Sequence, residues 1–179
     1  NQSIMEKRGL SSKTIFVITA IAIAAAFRIV PHWPNFTPVA AMALFAGATI
    51  NRKWLAFMLP LAALFLSDLV LGFHSTIIFV YGAMILTVLI GSLLSKKLKT
   101  GNIAIATVSS SILFFLVTNF GAWMSGMLPY TRDFSGLMQA YIAGIPFFNT
   151  ALAGDLFYSG VLFGSFILAR KRFPRLVKA

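Results

Sequence analysis

The stretch STIIFVYGAMILTVLIGSLLSKKLK, residues 75–99, joins a long apolar run to a cluster of lysines. The run is long enough to cross a bilayer as a helix, since a helical span needs about 20 predominantly apolar residues. Lys96, Lys97 and Lys99 follow it directly. Because cytoplasmic loops of membrane proteins collect Lys and Arg, this stretch predicts a transmembrane helix that ends on the cytoplasmic side.

The same arrangement recurs along the chain. Of the 15 Lys and Arg residues, all but Arg28 and Arg132 fall at the chain ends or in short gaps between apolar runs. They are Lys7, Arg8, Lys13, Arg52, Lys53, Lys96, Lys97, Lys99, Arg170, Lys171, Arg172, Arg175 and Lys178. If these segments all face the cytoplasm, the chain crosses the membrane an even number of times between each pair.

The composition supports a membrane protein. The chain has 179 residues, of which 59% are hydrophobic and 11% charged, and its mean hydropathy is +0.88. Soluble domains have about a quarter charged residues. The net charge of +11 lies in the flanks of apolar runs, so we expect a lipid bilayer as the partner and no nucleic acid. Cysteine is absent, which excludes disulfides, thiolate metal sites and a cysteine nucleophile.

These patterns predict an all-α bundle of six transmembrane helices in a single domain, residues 1–179, with both termini in the cytoplasm. The predicted spans are 13–30, 38–50, 54–72, 75–94, 102–124 and 145–168. The second is short for a full crossing. Residues 125–144 are predicted to lie outside, and residues 134–143 form either a short surface helix or a packed loop.

Three ionisable residues, Arg28, Asp68 and Asp155, interrupt the apolar runs. Because an unpaired ionised carboxylate is costly in hydrocarbon, we expect Arg28 to pair with one of the aspartates. The three residues either pin helices together or line a polar cavity that opens outward. Other polar and aromatic residues lie at the same outer depth, and the proline-rich segment 31–38 predicts a rigid wall or lid beside them.

The candidate ligand-binding residues are therefore Arg28, His32, Trp33, Asn35, Phe36, Asp68, His74, Asn119, Trp123, Tyr130, Asn149 and Asp155. Aromatic members would give apolar contact and polar members would orient the ligand. His32 and His74 with a carboxylate would suit a metal ion, but they lack the spacing of a metal motif, so we predict no metal and no resident cofactor. No catalytic motif is present, and we predict that the protein is not an enzyme.

The first span carries Ala20, Ala22, Ala24 and Ala26, which form small-residue faces at four-residue spacing. Such faces let helices approach closely. They serve packing within the bundle or the docking of a partner membrane subunit.

Together these features resemble the S components of energy-coupling-factor (ECF) transporters, the small membrane subunits that bind vitamins and metal ions. Residues 27–38, 118–123 and 145–149 are also similar to a bacterial family described as S-component-like. The resemblance implies a location in the bacterial inner membrane. It also implies that the alanine face contacts a coupling subunit that works with ATPases.

Among characterised S components, the solitary cobalamin-binding type is the most similar. That type uses a cysteine as a cobalt ligand, which this chain lacks, and His74 is the substitute to consider. We therefore expect a membrane substrate-binding protein for uptake of a small vitamin-like nutrient or cofactor, a corrinoid among the candidates, through an outward-facing pocket. The alternative is a structural or assembly subunit of a larger membrane complex that does not transport.

Overall fold

The computed structural model describes residues 11–174, and this range is helical, without strands. Its helices are α1 (Ser12–Ile29), α2 (Val39–Thr49), α3 (Lys53–Leu71), α4 (Ile77–Leu94), α5 (Thr100–Met124) and α6 (Phe134–Arg172). The predicted all-helical class is confirmed. Of the basic residues used to predict the topology, Lys7, Arg8, Arg175 and Lys178 lie outside the described residues.

Within the described range, five helices are long and apolar enough to cross a membrane: α1, α3, α4, α5 and α6. The chain thus has the character of a multi-pass membrane protein. Helix α2 has 11 residues. At 1.5 Å per residue it is about 16 Å long, roughly half the thickness of a hydrocarbon core. The second predicted span is therefore a short helix that an extended segment precedes.

Helix α2 forms the centre of the bundle. Each of its residues is buried, and it contacts all five other helices. Its closest neighbour is α4, where two glycines face the opposite backbone. A Cβ atom on Gly47 would collide with the carbonyl oxygen of Val88, and one on Gly91 would collide with that of Leu44. The two helices therefore pack backbone to backbone, as small residues permit.

The segment that precedes α2 enters the bundle without forming a helix. Pro38 is fully buried, and the Phe36 ring packs against Phe157 and Tyr158 with centroid distances of 5.7 and 5.6 Å. A Cβ atom on Gly154 of α6 would lie 3.1 Å from the Phe36 Cα, so glycine makes room for this backbone. Irregular backbone is tolerated at membrane depth where protein surrounds it.

Helix α6 begins earlier than predicted. The sequence placed residues 125–144 outside and began the sixth span at residue 145, whereas one helix runs from Phe134 to Arg172. Asp133 caps it by accepting a hydrogen bond of 2.8 Å from the Gly136 amide, which holds the pKa of that carboxyl below its usual range. Pro146 lies inside the helix and removes one backbone hydrogen bond without ending it. The 39-residue helix is about 58 Å long and exceeds the hydrocarbon thickness.

The helix connections alternate between two ends of the bundle. At one end, which we call the basic end, Lys13 donates a hydrogen bond of 3.1 Å to the Asn51 side chain, beside Arg52. At the other end, Arg28 meets Asp68 and Ser75 meets Met127. The connections 30–38, 72–76 and 125–133 lie at this second end, which we call the loop end.

Candidate functional site

Buried polar side chains form two separate groups inside the bundle. The first, the ion-pair cluster, consists of Arg28, Ser67, Asp68 and Tyr81. The second, the Asp155 cavity, lies between α5, α6 and the segment before α2. It is lined by Asn35, Ser111, Phe114, Phe115, Thr118, Asn119, Gly144, Phe147, Phe148, Ala151 and Asp155.

The ion-pair cluster joins three helices. Arg28 of α1 donates to Asp68 of α3 at 2.6 Å and to the Ser67 hydroxyl, and Tyr81 of α4 donates to the other Asp68 oxygen at 3.0 Å. Asp68 is fully buried. Because both carboxylate oxygens are paired and one partner carries a positive charge, the cluster has the chemistry of a structural staple. The sequence led us to expect Arg28 to pair with one of the two aspartates, and its partner is Asp68.

The Asp155 cavity has a volume of about 90 Å³. Asp155 is only 6% exposed, and its Oδ2 lies 2.7 Å from the Ser111 hydroxyl of α5. Asn119 lies along the same helix, where its Nδ2 donates to the Phe115 carbonyl at 2.9 Å. Its Oδ1 faces Gly144, whose Cβ, were one present, would lie 2.5 Å away. A carboxyl, a hydroxyl and an amide thus line one cavity.

Phenylalanines are four of the eleven residues that line the cavity. Phe114 and Phe115 come from α5, and Phe147 and Phe148 come from α6 just after Pro146. The Phe115 and Phe148 centroids are 4.9 Å apart. Both α5 and α6 thus contribute two aromatic rings to the lining. The arrangement offers a few polar contacts within an apolar wall, which is the usual composition of a small-molecule site.

Asn35 lies where the cavity reaches the surface. It is exposed, and its φ of 63° puts it in the left-handed region. Asparagine adopts this conformation more readily than most residues other than glycine. Sparsely populated backbone conformations cluster at functional sites. The conformation turns the chain immediately before Phe36 enters the bundle.

Three of the twelve predicted binding residues, Asn35, Asn119 and Asp155, line the Asp155 cavity. Arg28 and Asp68 bind each other instead. The remaining seven do not line this cavity: they are His32, Trp33, Phe36, His74, Trp123, Tyr130 and Asn149.

Several of these seven have other contacts. His32 is exposed with its Nδ1 2.6 Å from the Val30 carbonyl, and His74 lies 2.9 Å from the Thr76 hydroxyl. Trp33 is 77% exposed, whereas Trp123 donates to the Thr131 carbonyl at 2.9 Å. Within residues 11–174 no group of three or more His, Cys, Asp or Glu side chains has the arrangement of a metal site.

Sequence reasoning missed Ser111, Thr118 and the four phenylalanines. The available signal was the run Ser109–Ser110–Ser111, three hydroxyls in succession within an apolar span. Only one of the three faces the cavity, because successive residues of a helix point in different directions. The helical period cannot show which of the three serines faces the cavity, because that depends on where α6 packs.

Buried hydroxyls without hydrogen-bond partners continue from the cavity towards the basic end. They belong to Thr107, Ser110 and Ser159. Thr107 precedes Ser111 by one helical turn on α5, and Ser159 follows Asp155 by one turn on α6. Both helices thus carry a buried hydroxyl one turn from the Ser111–Asp155 contact.

The predicted alanine faces lie beside two apolar grooves. Ala20 and Ala24 line a groove of about 410 Å³ between α1 and α6, and Ala22 and Ala26 line one of about 360 Å³ between α1 and α3. Ala24 is buried, whereas Ala22 and Ala26 are exposed. Helix α1 is therefore peripheral and presents small residues on the outside of the bundle.

The fold defines the class: a multi-pass helical membrane protein with a small polar cavity inside its bundle. Residues 9–176 match the model of DUF6580, described as a family of unknown function, and the chain belongs to this family. No curated protein and no solved structure matches the chain.

Proposed function

We propose that this protein is a membrane substrate-binding protein that takes up a small nutrient through the Asp155 cavity. The observation that supports this is the meeting of Asn35, Asn119 and Asp155, which come from three separated parts of the chain. Buried polar groups are costly in a membrane and usually mark a functional site. The ion-pair cluster meets this cost with internal partners, whereas the Asp155 carboxyl faces an open space.

The size of the cavity bears on the ligand. Pockets for drug-sized molecules measure about 300–1,000 Å³. The Asp155 cavity, at about 90 Å³, is much smaller. Within the range of vitamin-like nutrients, this volume favours a molecule of few heavy atoms over a corrinoid.

The resemblance to ECF S components extends this proposal to partners and location. On this view the basic end faces the cytoplasm of a bacterial inner membrane, and the cavity faces outward. The exposed Ala22–Ala26 face of α1 contacts a coupling subunit with ATPases, since the sequence has no nucleotide motif. The protein binds and moves its ligand without catalysing a reaction.

The test compares two residues that line the cavity, Asn119 of α5 and Asp155 of α6, with Asn149, which does not line it. In the purified protein we expect Asn119→Ala and Asp155→Ala to abolish retention of a co-purified small molecule, measured by mass spectrometry. Asn149→Ala is the matched control, because Asn149 is exposed on α6 and does not line the cavity. Unchanged retention in both cavity variants, with folded protein, would refute the proposal.

The alternative is a structural or assembly subunit of a larger membrane complex. The ion-pair cluster and the two grooves beside α1 favour it, since staples and open apolar faces suit a scaffold. This alternative expects stable, stoichiometric protein partners and no small molecule in the cavity. Substitution of Asp155 would then alter stability alone.

A further inference from the structure

The two buried aspartates of the bundle differ in how their charge is balanced. Asp68 has Arg28 at 2.6 Å, and this is the only ion pair among residues 11–174. Asp155 has no cationic partner in that range, although it is only 6% exposed. An isolated buried carboxylate is so costly that it must take up a proton or meet a cation.

The hydrogen bonds of Ser111 indicate whether the Asp155 carboxyl carries a proton. Its hydroxyl oxygen lies 2.7 Å from Asp155 Oδ2 and 3.0 Å from the Thr107 carbonyl oxygen. A serine hydroxyl has one proton to donate, and a carbonyl oxygen only accepts. Both contacts are full hydrogen bonds when Asp155 is protonated, because its O–H then donates to Ser111 and Ser111 donates to Thr107. If the Asp155 carboxyl were ionised, the one hydroxyl proton of Ser111 would have to be shared between the carboxylate and the Thr107 carbonyl.

Among residues 11–174, no other charged side chain lines the cavity beside Asp155. Segment 30–38 contributes Asn35, and α5 contributes Ser111, Thr118 and Asn119, all of them neutral. The rest of the lining is apolar, with phenylalanines from α5 and α6. Aromatic faces attract cations within about 6 Å of the ring centroid, and aromatic walls with one carboxylate suit ammonium groups.

From these contacts we infer that the nutrient is a small organic cation, an alkylammonium compound, and that it displaces the proton of Asp155. The O–H bond of the carboxylic acid breaks, the proton leaves to water, and the carboxylate that remains pairs with the ammonium group. The charge inside the bundle is the same before and after. This inference rests on the proposed function and specifies its ligand class.

A sodium ion is the competing occupant, but the cavity suits it less. Small inorganic cations take several oxygen ligands. The unpartnered hydroxyls of Thr107, Ser110 and Ser159 do not line the cavity. Its oxygen-bearing side chains stand beside four phenylalanines, which supply no oxygen ligand to a sodium ion. These rings therefore favour an organic cation.

The experiment uses two probes of nearly equal shape, choline and its neutral analogue 3,3-dimethylbutan-1-ol. Calorimetric titration of the full chain in nanodiscs is done in two buffers of different ionisation enthalpy. We expect choline to bind at least tenfold more tightly than the alcohol and to release about one proton. Asp155→Asn should remove this preference, and Asn149→Ala should keep it.

Infrared spectroscopy tests the protonated state without depending on a ligand. The empty protein should show a carboxylic acid carbonyl band that is absent from Asp155→Asn and disappears when choline is added. Absence of this band from the empty wild-type protein overturns the inference.

Other outcomes separate this inference from the proposed function. Equal binding of the alcohol, or displacement of choline by sodium ions at equal concentration, overturns the cation assignment and leaves a ligand site in place. Binding of neither probe also overturns the inference, and the retention test with Asn119→Ala then decides the function by itself.

Discussion

Asp68 and Asp155 are both buried aspartates on membrane-spanning helices, but their neighbours give them different roles. Both carboxylate oxygens of Asp68 accept hydrogen bonds, one from Arg28 and one from Tyr81. Only one oxygen of Asp155 is hydrogen-bonded, to the Ser111 hydroxyl, and the residue lines a cavity. At the scale of the residue, the number of internal partners distinguishes a group that holds the fold from one that is available to a ligand.

Loss of Arg28 should show how strongly the ion-pair cluster stabilises the bundle. We expect Arg28→Met to lower the free energy of unfolding by about 3–5 kcal/mol, because it leaves the Asp68 carboxylate buried without a cation. Reversible unfolding in detergent measures this change. The double variant Arg28→Met with Asp68→Leu should recover most of the loss. Arg132→Met, at an exposed site, is the control, and an equally small effect at both arginines would argue against the staple.

At the scale of the element, α2 explains most of the architecture. It is too short to cross a membrane, yet the other five helices surround it. Its small residues allow α4 to approach until the Gly47 and Gly91 positions contact opposing backbone. Leu44 and Phe45 fill the space on its other sides, and both are fully buried.

Two glycines on α4 give a matched test of this contact. Gly91→Ala should destabilise the protein by about 1–3 kcal/mol, because the added methyl group has no space beside the Leu44 carbonyl. Gly82→Ala should be neutral or stabilise by up to about 1 kcal/mol, since nothing lies within 4 Å of that position. Thermal unfolding of both variants in the same detergent measures the difference. Equal midpoints would show that α2 and α4 are not in close contact.

At the scale of the whole molecule, the basic residues and the connection beside the cavity lie at opposite ends of the bundle. Lys13, Arg52 and Arg170 belong to the basic end, and the connection that carries Asn35 belongs to the loop end. If cytoplasmic loops collect the basic residues, the Asp155 cavity opens towards the opposite side of the membrane. Ligand access from outside depends on this orientation.

Single cysteines test the orientation directly, since the chain contains none. Ser125→Cys at the loop end should react with a membrane-impermeant thiol reagent in intact cells. Ser95→Cys at the basic end should react only after the membrane is permeabilised. Both serines are exposed, which makes them a matched pair. The reverse labelling pattern would place the cavity on the cytoplasmic side and would contradict the uptake proposal.

The sequence alone predicted the helical class, the positions of the long apolar helices and the pairing of Arg28 with an aspartate. These properties depend on local run length, flanking charge and the cost of a buried charge, so a linear chain displays them. The sequence also pointed to Asn35, Asn119 and Asp155 as residues of interest, because polar side chains are rare in its apolar runs.

The tertiary structure decided which of those side chains meet. It separated Arg28 and Asp68 from Asp155, joined Ser111 to Asp155, and made α2 a short central helix. It also extended α6 back to Phe134, where the Asp133 cap was not recognised in the sequence. The physical reason is that a shared cavity depends on the register and rotation of packed helices. Those are set by contacts such as Gly47 with Val88 and Gly154 with Phe36, between residues far apart in the chain.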